Sequence, residues 1–223
     1  MHDPTDSGNH VIPIGKQTLH PRHIFYTPCS GIWQSAWIEP APANWVTQLD
    51  LDANMDGQGT YDLSQVAQPS LIKNQPVNVT VHSSLGNGTS VEISVYDDDD
   101  EVASYTGLSD QPVVFNVSDP NLWTPDSPNL YNVTVRLGDD EIHSYTGFRT
   151  ISKGTIDGIW RPLLNGEFIF MFGTLDQGYW PDGLFTPPNR EAMVYDLQVL
   201  KDLGFNMVRK HVSALPWRRK TRG

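Results

Sequence analysis

A single cysteine, Cys29, in 223 residues excludes an internal disulfide framework. With no neighbouring pattern to activate a thiol, it reads as a small buried hydrophobe. Long apolar runs are also missing. Nothing approaches the ~20 residues that a helix needs to cross a bilayer, so no membrane partner is expected. The opening MHDPTDSGNH lacks the charged-then-apolar plan of a signal peptide. Positive charge is scarce: 15 Lys and Arg stand against 26 Asp and Glu, a formal net charge of −11. Phosphate binding draws on clustered bases, so this balance argues against a nucleic-acid partner. Even that small basic complement is uneven. Six of the bases (Arg209, Lys210, Arg218, Arg219, Lys220, Arg222) fall at the C-terminus without an acid among them, leaving nine for the preceding 208 residues. No His/Cys/carboxylate cluster with metal-ligand spacing occurs, so neither a metal nor a cofactor is expected.

What the chain has in abundance is aromatic residues, glycine and proline: 7 Trp, 8 Tyr, 8 Phe, 18 Gly and 17 Pro, with only 18% charged residues. That is the profile of a turn-rich β protein. Apolar and polar residues alternate in WVTQLDLD (Trp45, Leu49, Leu51), VNVTVHS (Val77, Val79, Val81) and SVEISVY (Val91, Ile93, Val95), and again in PVVFNVS and NLYNVTVRL. Turn clusters such as SSLGNG and YDDDDE separate them. About seven short strands punctuated in this way predict an immunoglobulin-like β-sandwich. The acidic run Asp97 to Glu101 raises a calcium hypothesis, because carboxylate oxygens suit that ion, but without EF-hand spacing it reads as a solvated hairpin tip. Four N-x-S/T triplets, at Asn78, Asn87, Asn116 and Asn132, are N-glycosylation acceptors in a secreted chain, and compartment stays open.

After the sandwich the period changes. Phe168 to Phe172 (FIFMF) is a continuous apolar run of strand length, expected to be covered on both faces. A loop rich in Trp, Tyr, Asp and Gly follows, then Asn189 as an N-cap. Met193, Leu197, Leu200 and Leu203 form an apolar helix stripe, Gly204 stops the helix, and Asn206 to Val208 starts a second strand. Strand, loop, helix and strand make one parallel βαβ unit.

Five strings in order, SGIWQSAWIE (Ser30 to Glu39), LWTPDSPNLYNVTV (Leu122 to Val135), GFRTI (Gly147 to Ile151), LLNGEFIFMFGTLDQGYWPDG (Leu163 to Gly183) and GFNMVRKH (Gly204 to His211), resemble successive signatures of glycoside hydrolase family 2. This is the β-galactosidase, β-glucuronidase and β-mannosidase group. The resemblance implies a mainly β chain with residues 1–42 as the end of a jelly-roll sugar-binding domain and 43–152 as the immunoglobulin-like sandwich. Residues 153–211 would start a (β/α)8 TIM barrel, and 212–223 form a basic tail foreign to the family, read as a truncation artefact. It also implies retaining hydrolysis of a β-glycoside by two glutamates on later barrel strands, beyond Gly223. No catalytic residue is therefore assigned, and this chain is expected to be inactive alone. The competing expectation is a non-catalytic sandwich module that binds carbohydrate or a partner subunit.

Barrel sites form at the carboxyl ends of the strands. Asp176, Gln177 and Trp180 follow the first strand, and Arg209 and His211 lie at the end of the second, so these five are the candidate substrate-binding residues. Carboxylates and guanidinium groups bond sugar hydroxyls, and an indole covers an apolar sugar face. By resemblance Arg209 shapes the sugar pocket; the alternative is that it pairs with a barrel carboxylate. Asp176 with Asp182 reads as loop chemistry and not as a catalytic pair. Glu167 precedes a strand, and Glu191 complements a helix dipole. Trp33 and Trp37 read as packing residues.

Overall fold

The structure is a computed structural model that describes residues 16–32, 36–53, 74–86, 88–211 and 221–222. Trp33, Asn87 and most of the basic tail lie outside these residues. The chain is mainly β and divides into two compact units, Met1–Ile38 with Met171–Leu215 and Glu39–Phe170 with Pro216–Gly223.

Among the described residues, the second of these units holds three antiparallel sheets, of which two make up residues 46–146. One has the order β1 (Val46–Asp52), β2 (Asn74–Ser83), β5 (Pro112–Ser118). The other has β7 (Asp140–Thr146), β6 (Tyr131–Leu137), β3 (Ser90–Asp97), β4 (Asp100–Leu108), with the two-residue β13 (Thr221–Arg222) on the outer edge of β7. The alternation read from the sequence decides which residues turn inward. Val77, Val79 and Val81 of β2 join Val91, Ile93 and Val95 of β3 in one core cluster, each at most 1% exposed. Burying each such side chain contributes ~1.5–3 kcal/mol, enough to fix the register of both sheets.

In β1 the inward residue is Val46, and Trp45 is only partly buried. The reason is a β-bulge. Val46 pairs with Ser83 and Gln48 with His82, so Thr47 is an extra residue that resets the phase before Leu49 and Leu51. The Asp97 to Glu101 run forms the β3–β4 hairpin, in which Asp97 pairs with Asp100 and Asp98 takes φ +53°.

Side chains close the ends of this unit. The Tyr131 hydroxyl accepts from the Asn121 N–H at 2.8 Å, and its ring meets Phe148 edge-on at 4.9 Å. The buried Asp140 carboxylate accepts from the Val46 N–H at 2.7 Å, tying β7 to β1. Around Asp110 a polar network links both sheets. Its carboxylate accepts from the Ser83 N–H (3.1 Å), the Ser83 hydroxyl (2.8 Å) and the Ser109 hydroxyl (2.9 Å), while the Ser109 N–H donates to the Thr89 carbonyl at 2.8 Å.

An antiparallel meander follows: β8 (Ile151–Ile156), β9 (Ile159–Leu164) and β10 (Glu167–Phe168). Asn165, at φ +54°, accepts from the Thr150 N–H and donates to the Trp123 carbonyl, both at 3.0 Å, which holds the meander against the loop before β6. The FIFMF run is not one covered strand. Only Phe168 belongs to a strand, Phe170 is 70% exposed, and the parallel strand begins at Gly173. An apolar run signals hydrophobicity, and only backbone pairing settles where the ladder lies.

The first unit contains β11 (Gly173–Asp176), α1 (Arg190–Asp202) and β12 (Met207–Lys210), with β11 and β12 parallel. The helix starts where its cap predicts: Asn189 Oδ1 accepts from the Ala192 N–H at 2.8 Å. It stops at Gly204, whose φ of +84° lets its N–H return to the Lys201 carbonyl at 2.9 Å. No residue of α1 is buried, and the predicted stripe is open at Met193 (42%), Leu197 (56%) and Leu203 (64%). Trp37, read as a packing residue, is 63% exposed because its segment has no regular structure to seat it against a core.

Candidate functional site

The candidate residues sit where β11 and β12 end. The two strands run in register from Gly173 opposite Met207 to Asp176 opposite Lys210. Side chains alternate between faces along a strand, and in-register partners share a face. Asp176 and Lys210 therefore rise from one face, Leu175 and Arg209 from the other. The ladder extends by one bond beyond Lys210, from the His211 N–H to the Asp176 carbonyl at 2.9 Å.

Lys210 Nζ donates to Asp176 Oδ2 at 2.6 Å, and the Gly178 N–H donates to Oδ1 at 2.7 Å. Partial burial pushes the Asp176 carboxyl up. The hydrogen bonds from Lys210 and Gly178, with the charge of the ammonium, outweigh that and hold it below the ordinary carboxylate value. The two side chains remain 34% and 40% exposed, so the pair contributes at most about 1 kcal/mol to stability. What it fixes is the direction in which the carboxylate points. Gly178 allows this arrangement in two ways. Its φ is +65°, and an added Cβ would lie 2.6 Å from Lys210 Nζ.

Aromatic residues shape the loop that leaves β11. Tyr179 stacks on Tyr26 with centroids 4.9 Å apart, and Phe185 meets Tyr179 edge-on at 5.3 Å. The Tyr179 hydroxyl donates to the Thr27 carbonyl at 2.5 Å. Burial pushes this phenol above its ordinary pKa. His211 meets Tyr26 edge-on at 6.4 Å. Its Nδ1 is buried and has no hydrogen-bond partner among the described residues. Trp180 is partly buried and closes a tight turn with Leu184 through bonds of 2.7 and 3.1 Å, whereas Gln177 and Asp182 are exposed.

The five residues singled out from the sequence are thus sorted by the fold. Asp176 and His211 are joined by a backbone hydrogen bond; Arg209 is on the face opposite Asp176, and Gln177 points into solvent. The cation on Asp176 is Lys210, which sequence reasoning passed over. Its signal was present: Asp176 and Lys210 close their strands at the same register position, and Arg209 is one residue out of phase. Tyr26 and Tyr179 were also missed, since nothing in the sequence joins residues so far apart.

The β-rich unit carries an open groove of about 390 Å3 lined by Tyr96, Asp98, Asp99, Asn132, His143 and Ser144. Among the described residues no three His, Cys, Asp or Glu side chains are grouped to hold a metal ion. The acceptor residues Asn78, Asn116 and Asn132 are exposed on outer sheet faces.

Fold and site together define a mainly β protein with an antiparallel β unit and a parallel strand–helix–strand unit that has an ion-paired carboxylate at its strand ends. Residues 45–149 match the sequence profile described as Glycosyl hydrolases family 2. A Formosa agariphila protein whose name proposes a β-glucuronidase is 36% identical over 116 residues, covering 48% of this chain and 11% of that protein. A β-galactosidase from Lactococcus lactis is 24% identical over 188 residues, covering 81% of this chain and 16% of its own length. The crystal structure of Ruminococcus gnavus β-glucuronidase superposes with a TM-score of 0.59 at 19% identity, over 79% of this chain and 26% of that one. The likeness in fold is therefore broad, and the chain spans only a fraction of the length of each relative.

Proposed function

We propose that this chain is a portion of a family 2 retaining glycoside hydrolase acting on a β-glycoside. In that reading, residues 1–42 end a jelly-roll domain, 43–152 form an immunoglobulin-like sandwich, and 153–211 open a (β/α)8 barrel. The observation that carries it is the family match over the sandwich, followed by a parallel βαβ unit with Asp176 and His211 at its strand ends, where barrel enzymes bind substrate. An ionised Asp176 accepts hydrogen bonds from sugar hydroxyls.

Retaining hydrolysis needs two carboxyl groups ~5–5.5 Å apart, one to protonate the leaving oxygen and one to attack the anomeric carbon. The Asp176 carboxylate is held between Lys210 and Gly178 and is unsuited to either role, because it is neither a proton donor at neutral pH nor free to advance. In this reading the described residues supply sugar contacts and no catalytic pair. The pure 223-residue chain should show no turnover of nitrophenyl β-galactoside, β-glucuronide or β-mannoside. Turnover that Asp176→Ala abolishes would overturn this assignment of roles. Binding of the corresponding methyl glycosides, followed by NMR, should weaken ~10-fold or more in Asp176→Asn, the range expected for losing a hydrogen bond to a charged acceptor.

The sandwich groove favours a second reading, in which 43–152 is a carbohydrate-binding module. Tyr96 offers an aromatic surface, and Asp98 and Asp99 offer hydroxyl acceptors. Residues 43–152 alone would then give heat with glycans in calorimetry, and silence across a broad panel would count against it.

A further inference from the structure

We infer that Lys210, and not Arg209, is the positioning cation of the Asp176 site, clamping the carboxylate so that its remaining lone pairs meet a pair of sugar hydroxyls. The inference rests on the sugar-binding reading given above and deepens it by naming a residue and the chemistry it serves.

Three independent features lead to it. In-register parallel pairing puts Lys210 beside Asp176 on one face, and Arg209 emerges on the other beside Leu175. The two carboxylate oxygens are each held by a different donor, Oδ2 by Lys210 Nζ at 2.6 Å and Oδ1 by the Gly178 N–H at 2.7 Å, which removes rotation about the carboxyl axis. Finally, position 178 is glycine at φ +65°, and a Cβ there would stand 2.6 Å from Nζ, so the ammonium takes the space that a side chain at 178 would contest.

A clamped carboxylate still has an unused lone pair on each oxygen, and a lysine ammonium has three N–H donors, of which Asp176 takes one. Carboxylate and ammonium together form a neutral, partly exposed donor–acceptor edge. A vicinal diol matches it: one hydroxyl donates to Asp176 while a neighbouring hydroxyl oxygen accepts from Lys210. A carboxylate at the same place would gain from Lys210 only what it loses against Asp176. The site is thus built for the uncharged hydroxyl face of a pyranoside.

Carbon-detected NMR on the full chain, with the Asp176 carboxyl assigned by its loss in Asp176→Asn, tests the clamp directly. In Lys210→Met the Asp176 titration midpoint should move up towards the ordinary carboxylate value, and in Lys210→Arg it should stay low. Gly178→Ala should move it up as well, because the new methyl displaces the ammonium. Arg209→Met should leave it in place. An unmoved midpoint in Lys210→Met, or an equal shift in Arg209→Met, overturns the inference. Amide signals from residues 171–211, the stretch that holds β11, α1 and β12, report in each case that the variant is folded. The second arm titrates methyl β-D-galactopyranoside: Lys210→Met should weaken its binding several-fold more than Arg209→Met, and the reverse order overturns the assignment. If the unaltered chain binds no pyranoside while Lys210→Met still shifts the midpoint, the sugar-binding reading fails and the clamp stands.

Discussion

Asp110 shows how one carboxylate can make the end of an antiparallel β unit sensitive to acid. It occupies a left-handed position, φ +63°, that brings its side chain back onto Ser83 and Ser109. The Ser83 hydroxyl and then the Ser83 N–H favour its charged form more than burial opposes it, so its pKa lies below the ordinary value. A carboxylate with a depressed folded pKa contributes stability that is complete above the unfolded pKa and is lost as pH falls through the folded one. Asp110→Asn should therefore flatten the acid limb of thermal stability below the ordinary carboxylate range, leaving the limb above it parallel to the original. A melting-temperature series from neutral to strongly acid pH checks this, and an unchanged acid limb refutes it. The neighbouring Ser109 is fully buried, with its N–H on the Thr89 carbonyl, so the network joins two loops that would otherwise end unsatisfied.

Elements are where the sequence was most readable and where its limits are clearest. The inward residues of β2, β3, β5 and β6 follow the period of two, because each strand has one face on the core and one in solvent. Both helix boundaries of α1 follow from local chemistry at Asn189 and Gly204. Three other expectations depended on pairing that no local pattern encodes. Trp45 lost its inward place to Val46 through a bulge, the FIFMF strand gave way to one beginning at Gly173, and the register put Arg209 on the face opposite Asp176. In each case pairing with a neighbouring strand, and not the local pattern, decided the outcome. The cap lends itself to measurement, since α1 has no buried residue to mask its effect. Asn189→Ala should cost the helix about 1 kcal/mol. Hydrogen exchange should show the amides of α1 opening several-fold faster, with those of β3 and β6 unchanged.

At the scale of the whole molecule, apolar burial is concentrated in one unit. The core cluster lies entirely between Val46 and Phe148, whereas the other unit leaves Met171, Phe172 and Leu197 between 44% and 56% exposed. A domain's stability is a small difference between burial and chain entropy, so the unit with the core should carry the cooperative transition. Residues 39–170 expressed alone should keep the unfolding midpoint of the full chain to within a few degrees. Loss of that transition on removing the remaining residues would show that the other unit shares the folding free energy.

The bulge at Thr47 has a consequence for how the protein behaves in company. β1 is an outer strand of its sheet, and a straight outer strand offers unpaired N–H and carbonyl groups to any passing chain. One extra residue bends the strand and breaks its hydrogen-bonding rhythm, so a second molecule cannot continue the ladder along its full length. The feature that hid the phase of β1 from its sequence therefore also guards the sheet against growing from one molecule to the next.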